Sequence, residues 1–302
     1  MPKVETSTRC GFIAIIGAPN AGKSTLVNTL VGAKVAIVSR KVQTTRTVLR
    51  GIAVEGESQL VFIDTPGIFA PRRRLDRAMV EAAWSGAGDA DQVLLVVDAA
   101  KGIDEDVERI LGKLKGRSLP MVLALNKVDR VKKAELLALA ADLNARLPFA
   151  ATFMISALKG DGVADLKTYL ANGVPPGPWH YPEDEISDAP LRVLAAEITR
   201  EKIYDRLHDE LPYEAAVETT GWKDQKNGIR IEQTIFVERD SQKRIVLGKG
   251  GSMIKQLSIL ARKELARLLE KPVHLFLFVK VRENWGDDPE RYRDLGLNFP
   301  KE

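Results

Sequence analysis

The chain has 302 residues, 45% hydrophobic and 28% charged, which is enough apolar material for about two domains that each bury a core. A lone cysteine, Cys10, excludes an internal disulfide framework and a cysteine-built zinc site, and His180, His208 and His274 are too scattered to replace it. The net charge of +4 permits a nucleic-acid partner without requiring one, while the polar start at Met1-Pro2-Lys3-Val4-Glu5-Thr6 and the lack of any long apolar run predict a cytoplasmic protein.

Over residues 10–170, short apolar runs alternate with helix-period segments, which predicts βαβ units around a mostly parallel sheet, an α/β fold. The first run, 12–16, leads into Gly17-Ala18-Pro19-Asn20-Ala21-Gly22-Lys23-Ser24, a fit to G-x-x-x-x-G-K-[ST], and a helix pattern follows over 23–30. That context suits a phosphate-binding loop. Glycines let successive amide N–H groups turn inward at a helix N-terminus, where the dipole adds positive potential. Lys23 then reaches the β- and γ-phosphates, Ser24 supplies a hydroxyl to Mg²⁺, and Thr25 extends the nucleotide-binding set. Next comes Ser39-Arg40-Lys41-Val42-Gln43-Thr44-Thr45-Arg46. A threonine here completes the Mg²⁺ shell in the GTP state, Thr45 in preference to Thr44, unless the stretch is only a solvated loop.

A run at 49–54 is expected at the sheet edge, and the run at 60–63 ends on Asp64-Thr65-Pro66-Gly67. A carboxylate at that strand end reaches Mg²⁺, and the Gly67 amide senses the γ-phosphate, so the following loop, 67–80, should respond to hydrolysis. Within it, Arg72-Arg73-Arg74 is either a solvated basic surface or a contact for RNA or acidic lipid. After the runs at 93–97 and 107–114, the strand 121–125 delivers Asn126-Lys127-Val128-Asp129, which decides the base. The Asp129 carboxylate can accept both the N1 and N2 hydrogens of guanine, whereas adenine would leave it unpaired at roughly 1–3 kcal/mol. Asn126 ties this loop to the phosphate loop, and the Lys127 stem covers the base. Past the helix 133–146 and the strand 152–155, Ser156-Ala157-Leu158 can present the Ala157 amide to guanine O6. The rival reading, a P-loop ATPase or kinase, has no use for Asp129 and the Asn126-Lys127 pair.

The composition then breaks. Residues 173–190 hold Pro175, Pro176, Pro178, Pro182 and Pro190 with the acidic run Glu183-Asp184-Glu185, which reads as a linker between a domain at 1–172 and one at 191–285, with a tail at 286–302. The second domain should run helix (191–208), strands (213–220 and 229–237), two helical segments around 248–251, and a last strand (273–281), a small α+β unit. Val246-Leu247-Gly248-Lys249-Gly250-Gly251-Ser252-Met253-Ile254-Lys255-Gln256-Leu257 fits the KH-domain core, in which G-x-x-G lets a sugar-phosphate backbone approach between two helices. Residues 239–271 carry nine Lys/Arg against Asp240, Glu264 and Glu270, a local electrostatic footprint. The RNA-binding candidates are Arg244, Gly248, Lys249, Gly250, Gly251 and Lys255. A domain that binds protein instead of RNA is the alternative.

These motifs resemble the translation-factor-related GTPases and, among them, the Era family. The resemblance is carried by Gln43-Thr44-Thr45-Arg46, Asp64-Thr65-Pro66-Gly67-Ile68, Ser156-Ala157-Leu158-Lys159-Gly160, Leu211-Pro212-Tyr213-Glu214 and Trp285-Gly286-Asp287-Asp288, and spans residues 10–297. It implies a type II KH domain, Mg²⁺-dependent hydrolysis of GTP to GDP, a monomer, and binding to 16S ribosomal RNA near its 3′ end during 30S subunit assembly. Peripheral contact with the inner membrane is implied as well. Ile68 stands where many small GTPases carry a water-orienting glutamine, so unaided turnover should be slow. Asn20 matches GTPases in which that asparagine helps hold K⁺ against the phosphates; the other reading is a turn-stabilising side chain.

Overall fold

The computed structural model describes residues 8–39, 41, 45, 49–71, 73–207, 211–283, 288, 289, 292 and 297–300. The chain forms two compact units: Met1–Ala36, Thr45–Asp188 and Leu295–Glu302 in the first, Ile37–Thr44 and Ala189–Asp294 in the second.

In the first unit the elements are β1 (Arg9–Ile16), α1 (Lys23–Val31), β2 (Leu49–Glu55), β3 (Ser58–Asp64), α2 (Arg74–Gly88), β4 (Gln92–Asp98), α3 (Glu105–Leu114), β5 (Met121–Asn126), α4 (Lys133–Arg146), β6 (Ala151–Ile155) and α5 (Val163–Gly173). They build a six-stranded sheet in the order β2-β3-β1-β4-β5-β6, parallel except for β2. Every residue of β3 and β4 is buried, as continuous apolar strands covered on both faces must be. Strand alternation sorts the two layers. Ile13 and Ile15 face Leu26 and Leu30 of α1 and Leu166 and Leu170 of α5, whereas Ala14 and Ile16 face Ala83, Ile110, Leu114, Leu136 and Leu143 of α2, α3 and α4. β1 lies between β3 and β4, so the winding reverses at its C-terminal end and leaves a crevice there.

Two features differ from the sequence reading. Residues 74–88 are helix where a loop to residue 80 was expected. Arg74, Leu75, Arg77, Ala78, Met79, Glu81, Ala82 and Ala83 are good helix formers, and only Gly86 and Gly88 weaken the last turn. Asp76 accepts the Arg73 N–H at 3.0 Å at the helix start, and Gly86 brings the helix so close that a Cβ there would lie 3.2 Å from Ile63. The proline-rich stretch is also docked along the first unit up to Asp188. Pro175 and Ile186 carbonyls accept the N–H groups of Cys10 and Ile52 at 3.1 and 2.9 Å. Proline deletes donors and keeps acceptors, so such a segment can still cap a sheet edge. Gln59, fully buried, anchors it: Oε1 accepts the His180 and Tyr181 N–H groups at 2.9 and 3.0 Å, and Nε2 donates to Tyr181 O at 2.8 Å.

The second unit contains α6 (Leu191–Arg206), α7 (Leu211–Glu214), β7 (Ala216–Gln225), β8 (Gly228–Val237), α8 (Asp240–Leu247), α9 (Ser252–Leu268) and β9 (Val273–Val281). Its sheet order is β7-β8-β9, with β7 antiparallel and β9 parallel to β8. Helices cover one face, where Leu194, Ile198, Ala261 and Leu265 pack on Ile229, Ile231 and Leu275. The expected strand at 213 begins instead at Ala216, because Pro212 sits in the first turn of a short helix and Tyr213 lies edge-on to Tyr204, ring centroids 5.7 Å apart. Within the same unit, the Val38 N–H donates to Glu201 Oε1 at 2.8 Å. No helix among the described residues is long and apolar enough to cross a membrane.

Candidate nucleotide and nucleic-acid sites

The crevice beyond β1 is lined by the Gly17–Ser24 loop, whose glycines are sterically required. A Cβ on Gly17 would lie 2.3 Å from the Val96 carbonyl, and Gly22 adopts φ +100 with its missing Cβ 2.2 Å from Asn126 Nδ2. Lys23 is buried, and its Nζ donates to the Gly17 and Ala18 carbonyls at 3.0 Å each, so the ammonium is held across the mouth of the loop. Burial lowers its pKa to about 8, opposed by the charge of Asp64.

Next to it three oxygens converge. The Ser24 hydroxyl donates to Asp64 Oδ2 at 2.8 Å and lies 2.9 Å from Thr45 Oγ1. Asp64 is fully buried, and its Oδ1 has no hydrogen-bond partner among the described residues. Burial raises its pKa to about 6, with the Lys23 charge and the Ser24 and Thr45 hydroxyls pulling the other way. An orphaned buried carboxylate oxygen beside two hydroxyls is a hard-oxygen donor set, and it fits Mg²⁺. Thr45, buried, joins this cluster; Thr44, Gln43 and Arg46 lie outside the described residues. Thr65 Oγ1 donates to Ile15 O at 2.6 Å, locking the end of β3 to β1. Gly67 rests on the phosphate loop, its missing Cβ 3.0 Å from Pro19, and Ile68 is buried with its N–H on Gly17 O at 3.2 Å.

The base-recognition residues meet the same loop from the other side. Asn126 Nδ2 donates to Ala21 O at 2.8 Å, and Oδ1 accepts the Lys127 and Ala157 N–H groups at 2.8 and 2.9 Å. The Ala157 amide, expected to face guanine O6, is thus turned onto Asn126. Lys127 takes φ +66, and its Nζ donates to Asn20 O and Asp98 Oδ2, both at 2.6 Å. Asp98 escaped the sequence reading; its signal is the end of β4, in register with Asn126. Asn20 itself takes φ +62, and its backbone carbonyl is the one that accepts from Lys127 Nζ. Asp129 Oδ1 accepts the Ser156 hydroxyl at 2.9 Å, which holds its carboxyl below the usual range, helped by Lys159 at 3.7 Å. Leu158 is 78% exposed at the rim. Of the basic run, Arg72 lies outside the described residues, and Arg74 stacks over the Phe299 ring at 5.0 Å.

In the second unit, α8 and α9 are joined through a single 3₁₀ turn at Lys249–Gly251. Gly248, Gly250 and Gly251 have φ of +72, +59 and +77, and a Cβ on Gly248 would lie 2.7 Å from Met253 N, whereas Gly250 and Gly251 face open space. Val246 and Leu257 anchor the joint in the core, while Arg244, Lys249 and Lys255 are exposed around it. Of the tail landmarks, Trp285, Gly286 and Asp287 lie outside the described residues, and Asp288 pairs with Arg282.

Residues 12–127 match the family described as 50S ribosome-binding GTPase, and residues 210–286 match the KH domain. The chain is 66% identical to GTPase Era of Bradyrhizobium sp. strain BTAi1 over 98% of its own length and 96% of the relative's. It is 64% identical to GTPase Era of Rhizobium meliloti, covering 97% and 94%. Among solved structures, Era in complex with MgGDPNP and nucleotides 1506–1542 of 16S ribosomal RNA superposes with a TM-score of 0.91 at 37% identity, covering 96% of this chain and 99% of that one. A variant of Aquifex aeolicus Era bound to GDP·AlF4⁻ gives the same score, identity and coverage. A phosphate loop, a guanine-type loop and a G-x-x-G turn, in one chain alike to these relatives from end to end, place it in a single family: this chain belongs to the Era family of GTPases.

Proposed function

We propose that this protein is a GTP-hydrolysing switch that binds the 3′ region of 16S ribosomal RNA through its KH domain and assists 30S subunit assembly. The observation that carries the nucleotide half is the Ser24–Thr45–Asp64 cluster with its orphaned carboxylate oxygen. In this reading Lys23 and the loop amides of residues 17–25 bind the phosphates, and Ser24, Thr45 and Asp64 hold Mg²⁺. Bound there, the ion neutralises charge on the phosphate oxygens. Asp129 and Asn126 select guanine, Lys127 covers its face, and Ser156 orients Asp129. Gly67, seated on Pro19, transmits the state of the loop to α2. Ile68 is buried and has no group to orient water, which supports slow unaided turnover. The Asn20 side chain has a K⁺-holding role in the same reading.

For the RNA half, Gly248, Gly250 and Gly251 admit the sugar-phosphate backbone, and Arg244, Lys249 and Lys255 supply charge. The family matched by the GTPase half is described by the large subunit, 50S, but the KH half and the 16S fragment in the solved relative favour the small one. Family membership supports a cytoplasmic monomer with peripheral contact at the inner membrane. The test has two arms. With Mg²⁺ present, GDP and GTP should bind tightly and ATP weakly; the reverse order overturns the base assignment. The Lys249→Asp, Gly250→Asp double variant should lose binding to a 16S 3′-end oligonucleotide and keep GTP binding, and undiminished RNA affinity, or affinity insensitive to salt, overturns the KH reading.

A further inference from the structure

The two faces of β9 differ in chemistry. Val273, Leu275, Leu277 and Val279 point to the helices, and the alternate residues His274, Phe276, Phe278 and Lys280 point away, with Phe276 and Phe278 41% and 49% exposed. On the same outer face the register sets Arg230 of β8 beside His274 and Lys223 of β7 beside Arg230. The Arg230 guanidinium lies over the Phe276 ring, 4.3 Å from its centroid, and is oriented by Glu232 at 2.7 and 2.9 Å. Two rings at alternate positions of one strand stand roughly 7 Å apart, far enough for each to take its own planar partner.

A buried protein interface would concentrate apolar side chains and deplete charge at its centre. Here each ring has a cation as its neighbour instead: Arg230 over Phe276, and Lys280 following Phe278 along the strand. Aromatic faces interleaved with cations suit single-stranded nucleic acid, whose bases stack while its phosphates seek positive charge. Position agrees with chemistry. β9 is an edge strand, and its inner face packs against α8 and α9, the two helices that flank Gly248–Gly251; Ser258 of α9 donates to the Leu275 carbonyl at 3.4 Å. An RNA strand leaving that turn across the edge of β9, which pairs with no further strand among the described residues, meets the rings next.

We propose that the outer face of β9, which carries Phe276 and Phe278, is a stacking platform for single-stranded RNA continuing past the nucleotides held at the Gly248–Gly251 turn. This rests on the RNA-binding reading above, and the experiment separates the two. A G-x-x-G turn clamps about four nucleotides, so binding of a tetranucleotide and of a twelve-nucleotide single strand of matching sequence should be measured by anisotropy on the full chain. Phe276→Ala with Phe278→Ala should weaken the longer RNA about ten-fold for each ring and leave the tetranucleotide unchanged. The Phe→Tyr pair should retain the longer RNA, and the Phe→Leu pair, which keeps apolar area without the ring and guards against misfolding of the alanine variant, should lose it. Equal losses for both lengths, no loss for either, or a self-association of the protein that the variants abolish while RNA binding stands would overturn the platform. If the tetranucleotide binds and responds to Lys249→Asp while the longer RNA ignores both rings, only the platform falls; if the unmodified protein binds neither RNA, the KH reading falls with it.

Discussion

The side-chain amide of Asn126 donates to the main-chain carbonyl of Ala21 at 2.8 Å, tying the end of β5 to a phosphate loop 105 residues earlier. With its Oδ1 accepting from Lys127 and Ala157, this one buried residue joins three loops. Asn126→Ala should therefore cost about 2–3 kcal/mol of stability, since it strands buried partners, and should weaken guanine nucleotide binding although Asn126 is fully covered by protein. Urea denaturation and nucleotide titration check both.

Asp64 presents one satisfied and one orphaned oxygen. Asp64→Asn keeps the shape and removes the charge. Its half-saturating Mg²⁺ concentration for hydrolysis should rise steeply, and turnover should fall by at least about 100-fold, while the fold is retained. A magnesium titration of phosphate release that matches the unmodified protein would contradict the assignment.

Asp129, held ionised by Ser156, is the proposed selector of the base. Asp129→Asn should weaken GTP binding by about 10- to 100-fold and favour xanthosine nucleotides, because the amide now donates where guanine donates. Competition between GTP and xanthosine triphosphate measures the ratio, and an unaltered preference for guanine counts against the role.

Asn20 sits in the phosphate loop with φ +62, its carbonyl taken by Lys127. The turn does not need its side chain for that bond. We expect hydrolysis to be faster in K⁺ than in Na⁺ at equal ionic strength, and Asn20→Ala to erase the difference. If the variant keeps the K⁺ preference, its side chain serves the turn alone.

The glycines of the second unit are not equivalent. Gly248→Ala places a methyl 2.7 Å from Met253 N at φ +72, whereas Gly250→Ala meets open space and bears only the strain of φ +59. Gly248→Ala should thus destabilise the KH unit by about 2–3 kcal/mol and Gly250→Ala by about 1 kcal/mol. Thermal unfolding of both variants, read in the KH unit, tests the order.

Much of this protein was legible in one dimension because phosphate and guanine recognition depend on main-chain geometry that few residues permit. Gly22, with φ +100, and the charges of Lys23 and Asp129 belong to short motifs that follow strand ends marked by apolar runs, whereas the closeness of Gly17 to the Val96 carbonyl belongs to the folded sheet. The G-x-x-G turn is of the same kind. What depends on distant partners could not be read that way. The helix at 74–88 follows a loop motif directly and ends over Gly86 and Gly88, where Ala83 and Ala87 packed on the sheet hold its last turns. The prolines of 173–190 suggest a linker, yet Gln59 from β3 fastens His180 and Tyr181 within that stretch to the first unit. Asp98 finds Lys127 only because β4 and β5 are neighbours, and Ala157 turns to Asn126 only because β5 and β6 are. Local sequence determined the chemistry of each loop; strand order in the folded sheet decided which loops meet, since contacts across dozens of residues form only once the core has brought their backbones together.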